Sequence, residues 1–274
     1  VSEPGFLRLK KVVAVMKYSM FSWFGFFMPF EERINLIADG GFDAAMISWE
    51  DEFEPWALKK EEFPEITRKK GLEITNIHAP FIGYNDIWEA SRLEITPKLR
   101  LFQGFIKDCY DFSIPAMVVH TNDLDDFTPD LDKGRAFFSE LADTAEKYGV
   151  NLAVENVSRQ HLLDFLLDEI HAPHFGMCYD SSHDFLEENN RGKILAKHKG
   201  RLKALHLSDN DFLKDRHWIP GEGFIPFDEI MPQILSSGVV ETISYEVIAS
   251  EKWQDQKPLS FTAAVRQSLD LNKE

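Results

Sequence analysis

LDKGRAFFSELADTAEKYGVNLAVEN (131–156) holds the unit from which the fold can be read. Its first part carries apolar residues at three- and four-residue spacing, the pattern of an amphipathic helix. Gly149 suits the C′ position that ends such a helix. NLAVEN (151–156) then reads as a short strand. Gly41, Gly71, Gly200 and Gly238 likewise each close a helical stretch a few residues before a strand-like run. A repeated helix–Gly–strand unit implies parallel strands. The predicted strands are 12–18, 42–49, 73–79, 116–121, 151–156, 174–180, 202–208 and 242–248. Helical stretches are predicted over 30–39, 55–70, 88–112, 130–148, 159–170, 184–199, 227–237 and 258–271. Eight such units point to a single (β/α)8 TIM barrel over 1–274, with 1–10 an N-terminal extension. An open doubly wound sheet is the alternative, but no Gly-rich phosphate loop follows the first strand.

Composition narrows the partners. The chain has 274 residues, 44% of them hydrophobic, and a formal charge of −16. Such a balance disfavours broad binding to nucleic acid or to an anionic membrane. No run reaches the ~18 apolar residues of a membrane span. Cys109 and Cys178 lie far apart within apolar stretches and read as reduced core thiols. With no secretory pattern in VSEPGFLRLKK, a cytoplasmic enzyme is expected.

The barrel reading places chemistry at the strand ends. His78 ends the third strand and His120 the fourth. Glu155 ends the fifth, Asp180 and His183 the sixth, His206 the seventh and Glu246 the eighth, while the loop after the seventh strand adds Asp215 and His217. Oxygen and imidazole ligands converging from separate strands are what a divalent metal site requires. A single histidine at a strand end is more often just hydrogen-bonded. Glu155 and Glu246 are more telling, because a carboxylate at the end of an apolar strand is costly to bury unpaired. The remaining histidines, His161, His171, His174 and His198, fall on helices or before a strand and read as structural or solvated.

These residues resemble the xylose isomerase-like TIM-barrel superfamily, which includes sugar isomerases, sugar epimerases and endonuclease IV-type enzymes (AP endonuclease family 2). The most specific match is HLSDN…DRHWIPGEGFIPF (206–227), with a His, a downstream Asp-x-His and a turn built on Pro220, Gly221, Gly223, Phe227 and Asp228. VEN after the fifth strand and D-x-x-H after the sixth agree with it. In the isomerase and epimerase branch the resemblance implies one ion (Mn²⁺, Zn²⁺, Mg²⁺ or Co²⁺) held by Glu155, Asp180, His206 and Glu246. Glu155 and Glu246 would exchange a proton with the sugar through an enediolate, and His183 would contact a substrate oxygen. That branch often carries an Arg six positions after the strand-7 His, where this chain has Phe212; Arg216 is the candidate substitute. In the endonuclease IV-like branch, His78, His120, His183, Asp215 and His217 join the set to hold three Zn²⁺. A metal-binding barrel without catalysis is the third reading.

Loops weigh towards a sugar. The segments 18–30, 49–56, 79–89 and 121–130 are poor in Lys and Arg and several are acidic, which suits a neutral polyol better than DNA. Trp23, Phe24, Trp49, Trp88 and Trp218 are candidates to stack on the apolar face of a sugar. For the aromatic run 18–30 the competing expectation is loop packing or a homodimer contact.

Overall fold

Side chains that alternate with a period of two build the wall of the protein. The computed structural model describes residues 16–123, 125–189 and 191–270. Its strands are β1 (Lys17–Phe21), β2 (Ala44–Ser48), β3 (Glu73–His78), β4 (Ala116–His120), β5 (Asn151–Glu155), β6 (Phe175–Asp180), β7 (Leu202–His206) and β8 (Thr242–Tyr245). All paired neighbours are parallel, in the order β7-β6-β5-β4-β3-β2-β1-β8. A single parallel bridge, Leu207 to Tyr245, closes the ring. Leu207 N donates to Ser244 O (2.9 Å) and Glu246 N to Leu207 O (3.2 Å) across that seam. The result is a nearly closed (β/α)8 barrel, as the helix–Gly–strand repeat implies.

The helices are α1 (Phe30–Asp39), α2 (Phe63–Lys69), α3 (Asp86–Glu89), α4 (Arg92–Asp111), α5 (Leu131–Tyr148), α6 (His161–Glu169), α7 (Ser181–Leu186), α8 (Lys193–His198), α9 (Phe227–Ser236), α10 (Glu251–Gln254) and α11 (Pro258–Ser268). Helix α5 shows why the repeat was readable. Asp130 accepts from the backbone N–H of Asp132 and Lys133, and Gly149 ends the helix at φ 67°. Gly200 differs, since it lies inside a short 3-10 turn (Lys199–Arg201) and has no positive φ.

Three predicted helices are divided. The stretch 55–70 becomes a 3-10 turn (Lys60–Glu62) followed by α2, whose first turn holds Pro64. Ser91 and Glu94 form a capping box that starts α4 afresh after α3. Helix α7 begins before residue 184 because the Asp180 side chain caps it through the N–H of His183 (2.7 Å). The predicted first strand, 12–18, is shifted to Lys17–Phe21. Its residues 12–15, the extension 1–10 and residue 271 of the last predicted helix lie outside the described residues.

Two apolar regions flank the wall. Outward residues such as Met117, Val119, Leu152, Val154, Met177, Tyr179 and Leu205 join the helices in one large core. Inward-facing Val118, Ala153 and Cys178, with Ala204 against them, form a separate small cluster. Trp49 and Trp88 belong to the outer packing, which corrects their expected place beside a sugar. Trp49 follows the last residue of β2 and points outward, its Nε1 donating to Asp108 of α4 (2.9 Å). Trp88 is fully buried and donates to Thr121 O (2.7 Å). None of the described helices is long and apolar enough to cross a membrane.

Gly134 sits where any Cβ would overlap the Trp88 ring. Gly134→Ala should therefore destabilise the fold by about 1–3 kcal/mol through overpacking. Urea unfolding checks this, and an unchanged midpoint would mean that the Trp88 packing is slack.

Candidate active site

The side chains at the mouth of the barrel follow from register. His120, Glu155, Asp180 and His206 each stand two residues beyond Val118, Ala153, Cys178 and Ala204, so they continue the inward-facing side of their strands. Register pairs His120 with Glu155 and Asp180 with His206. His78 and Glu246 hold the equivalent place, two residues after Asn76 and Ser244. A layer of small apolar residues is thus topped by a layer of ligand-type groups.

Glu155 is the centre of that layer and only 1% exposed. Its Oε2 lies 3.2 Å from His78 Nε2, 3.2 Å from His206 Nδ1 and 3.6 Å from His120 Nε2, while Oε1 lies 3.3 Å from His183 Nδ1. His206 Nδ1 also reaches Glu246 Oε2 at 2.8 Å. To one side, Asp215 Oδ2 joins His183 Nε2 (3.1 Å) and His217 Nε2 (2.8 Å). Donor atoms of Glu155, Asp180, His206 and Glu246 all fall within 4.8 Å of one another. The same holds for His78, His120 and Glu155, and for His183, Asp215 and His217. All nine strand-end residues are therefore gathered at one end of the barrel.

Burial and charge set their protonation. Burial opposes the ionised form of Glu155, but His206, His183 and His78 outweigh it and hold the carboxyl well below its ordinary range. Glu246 is likewise penalised by burial and drawn down to about 2 by His206. Burial raises Asp180 to about 7, against the pull of His183. Burial disfavours a charged His206, whereas Cys178, Glu246 and Glu155 favour it. Because burial also pushes the Cys178 thiol up to about 12, that thiol is neutral and the two carboxylates carry the effect. Burial lowers His120 to about 3, so this ring is neutral.

Glu155 Oε1, Asp180 Oδ2, His183 Nδ1 and both ring nitrogens of His206 are buried without a well-aligned hydrogen-bond partner. At these atoms the short approaches are proximity rather than hydrogen bonding, whereas His78 Nε2 with Glu155 Oε2 and His183 Nε2 with Asp215 Oδ2 are hydrogen-bonded. Buried polar atoms left in this state are expensive. A divalent cation among Glu155, Asp180, His206 and Glu246 would satisfy them, and the mixed oxygen and imidazole set suits Mn²⁺, Co²⁺ or Zn²⁺ as well as any.

Several supporting residues, all but Asp209 without ligand chemistry, were not picked out from the sequence. Asn156 bridges β5 to β6, donating to Asp180 O (2.8 Å) and accepting from Asp180 N (2.7 Å). Ser182 Oγ donates to Asp215 Oδ1 (2.6 Å), and Asn210 Nδ2 holds Ser182 O (2.8 Å). Asp209 accepts from the N–H groups of Gly221, Gly223 and Ile225, which ties the PGEGF turn to the end of β7. Their only sequence signal is position: each lies in a short motif with a ligand-type residue, VEN, DSSH or HLSDN.

A cavity of about 690 Å³ opens above this layer, lined among others by Phe81, His120, Asn122, Asp123, His183 and Asp215. Trp218 and Arg216 lie instead in a neighbouring cavity that shares Asp215. Arg216 is engaged by Asp211 (2.8 and 3.0 Å) and does not replace the arginine absent at Phe212. Trp23 lines a third cavity, and Phe24 is buried against Phe261.

The xylose isomerase-like TIM barrel family pattern matches residues 34–269. The chain belongs to this family. A D-psicose 3-epimerase from Enterocloster bolteae is 28% identical over 250 residues, covering 81% of this chain and 78% of the relative. The structure of a D-psicose 3-epimerase with D-tagatose from Clostridium cellulolyticum H10 superposes with a TM-score of 0.75 at 16% identity, covering 93% of this chain and 98% of that one. A D-allulose 3-epimerase from Methylomonas sp. in complex with D-allulose gives 0.73 at 16% identity, covering 92% of this chain and 95% of that one. At this identity the two structures speak for the fold.

Two predictions follow from the buried groups. Protein purified without chelator should carry a divalent ion by elemental analysis, and Asp180→Asn with His206→Gln should remove it. Wild-type protein devoid of such ions after incubation with Mn²⁺, Co²⁺ and Zn²⁺ would overturn the site. Separately, burial raises Asp184 to about 6, despite hydrogen bonds from Tyr179 Oη (2.8 Å) and Gly192 N (2.9 Å). The folded carboxyl then binds its proton more tightly than the unfolded one, so it costs stability as pH rises through 6. Asp184→Asn should gain on wild type by up to about 3 kcal/mol between about pH 4 and about pH 7. Denaturant melts at the two pH values measure this, and a pH-independent difference would refute it.

Proposed function

We propose that the protein is a divalent-metal-dependent sugar epimerase or ketose isomerase. One observation carries the reading. Glu155 and Glu246, both held ionised, belong to a layer whose His120 and His183 line, with Asp215, a cavity that offers carboxylates, amides and hydroxyls but, among the described residues, no Lys or Arg. A neutral polyol finds hydrogen-bond partners there, whereas a phosphate finds no counter-cation. The likeness to a D-psicose 3-epimerase over most of both chains supports the same class.

A divalent ion held by Glu155, Asp180, His206 and Glu246 would supply Lewis-acid polarisation of a carbonyl and its neighbouring hydroxyl. The chain's own residues would handle the proton. One carboxylate takes it from the carbon beside the carbonyl, leaving an enediolate. Delivery of a proton to the opposite face by the other carboxyl, which must carry one at that stage, would give the epimer, and return of the abstracted proton to the adjoining carbon would give the isomer. His183, braced by Asp215, is placed to hold a substrate oxygen, and Asp215 is in turn set by Ser182. Phe81, tilted over His78 at 4.4 Å between ring centres, screens the floor from water.

Phosphodiester hydrolysis at three ions is the second reading. It is favoured by the two further ligand groups, His78 with His120 and Glu155, and His183 with Asp215 and His217. The acidic lining of the cavity weighs against it. About one ion per chain supports the epimerase, and about three would make hydrolysis the leading reading.

Glu246→Gln should lower kcat on ketoses by about 10²–10⁴ while the circular dichroism spectrum is retained, as expected for loss of an acid–base group. Wild-type turnover by this variant would remove Glu246 from the proton transfer.

A further inference from the structure

Phe81 divides two cavities. One side of its ring faces His78 and His120 in the site described above. It also lines a second cavity of about 330 Å³ at the ends of β1 and β2, bordered by Ser22 and Ser48. Both cavities thus open on the same face of the barrel. We propose that the second is a glycosyl-binding subsite, so that the substrate is a ketose bearing another sugar rather than a free monosaccharide. This rests on the sugar reading above.

Aromatic rings are exposed here that the core does not use. Phe24 and Phe26 of the same segment are buried against Phe261. Phe27, by contrast, is 78% exposed and packs on Trp56 at 4.7 Å, and Trp23 is 37% exposed. Such rings on a cavity wall match the apolar face of a pyranose.

Arg33 supplies the polar half of the argument. It is 93% buried by the 7% exposure of the residue, lies 5.2 Å from the Trp23 ring, and pairs through Nη2 with Glu52. Glu52 is itself fixed by the N–H of Phe30 (2.9 Å). Arg33 Nε is buried without a partner, and Nη1 has none among the described residues. A guanidinium presents five donors in a planar fork, and leaving them unmet in a buried place is costly. A hydroxyl in the cavity would meet the part of the guanidinium that reaches the wall. On the rim, Glu50 and Glu54 have no cationic partner among the described residues, whereas Asp51 is taken by Lys59 (2.7 Å).

Those charges select the ligand. An anion would meet Glu50 and Glu54 with no free cation to offset them, because the Arg33 charge is already met by Glu52. A neutral polyhydroxy group meets donors, acceptors and rings together. The linkage must leave the carbonyl and its neighbouring carbon free in the first cavity. The second sugar therefore hangs from a carbon outside the reacting pair, as in lactulose (4-linked) or isomaltulose (6-linked).

The test compares these two disaccharides with D-fructose and D-psicose on the metal-loaded full chain. At least one disaccharide should show kcat/KM about tenfold above the monosaccharides. Phe27→Ala/Trp56→Ala should raise KM for that disaccharide at least about fivefold and change monosaccharide kcat/KM less than about twofold. Equal use of both sugar classes, or equal loss on both, overturns the subsite while leaving the epimerase reading intact. If no sugar reacts, the epimerase reading fails and binding decides the subsite alone. Calorimetric titration with lactulose and isomaltulose should then show binding that Phe27→Ala/Trp56→Ala abolishes, and absence of binding, or binding unaffected by the variant, overturns it.

Discussion

The two-residue period of parallel strands, locked in register, is the constraint on which the site depends. Val118, Ala153, Cys178 and Ala204 form the plug of the barrel, and the next inward positions on the same strands are His120, Glu155, Asp180 and His206. A slip of one residue in any strand would turn its ligand-type group into the helix layer and bring an apolar side chain to the mouth. The core and the site are thus specified by one pattern. Large outward residues pack the helices against the wall, and that packing holds the strands whose inner ends carry the chemistry.

Charge explains why such a layer needs a second tier of support. Acids and imidazoles gathered this closely are tolerated only when each offsets another, since isolated buried charges pay a large desolvation cost. Glu155 is surrounded by histidines, Glu246 by His206, and Asp215 by His183 and His217. Residues without titratable chemistry then fix the geometry. Asn156 sews β5 to β6, and Ser182 and Asn210 position Asp215. The backbone N–H groups that surround Asp209 hold the loop bearing His217 against the end of β7. Flexibility in any of these would loosen the ligand layer without altering a ligand.

The barrel and the ligand layer were legible from sequence because both follow local rules. Helix α5 announced its C-terminal end through Gly149, and each strand from β3 to β8 placed a charged or imidazole residue after an apolar run. What was not legible depended on which way a side chain turns once a strand has ended. Trp49 lies one position past Ser48 and so faces α4, and Trp88 lies on α3, turned inward to Thr121. Arg216 looked available in the sequence, yet the loop folds back to pair it with Asp211. The supporting amides and hydroxyls were missed for a related reason: an Asn or Ser beside a ligand looks the same whether it faces water or braces a neighbour.

The ring of strands is joined least firmly between β7 and β8, where one bridge replaces a ladder. His206 and Glu246 stand on either side of that seam, with 2.8 Å between Nδ1 and Oε2. Side-chain electrostatics therefore supply part of the hoop tension that backbone pairing supplies elsewhere. Closing the barrel and assembling the site are two faces of one equilibrium, so whatever binds between these residues also tightens the ring, and whatever opens the ring disperses the site.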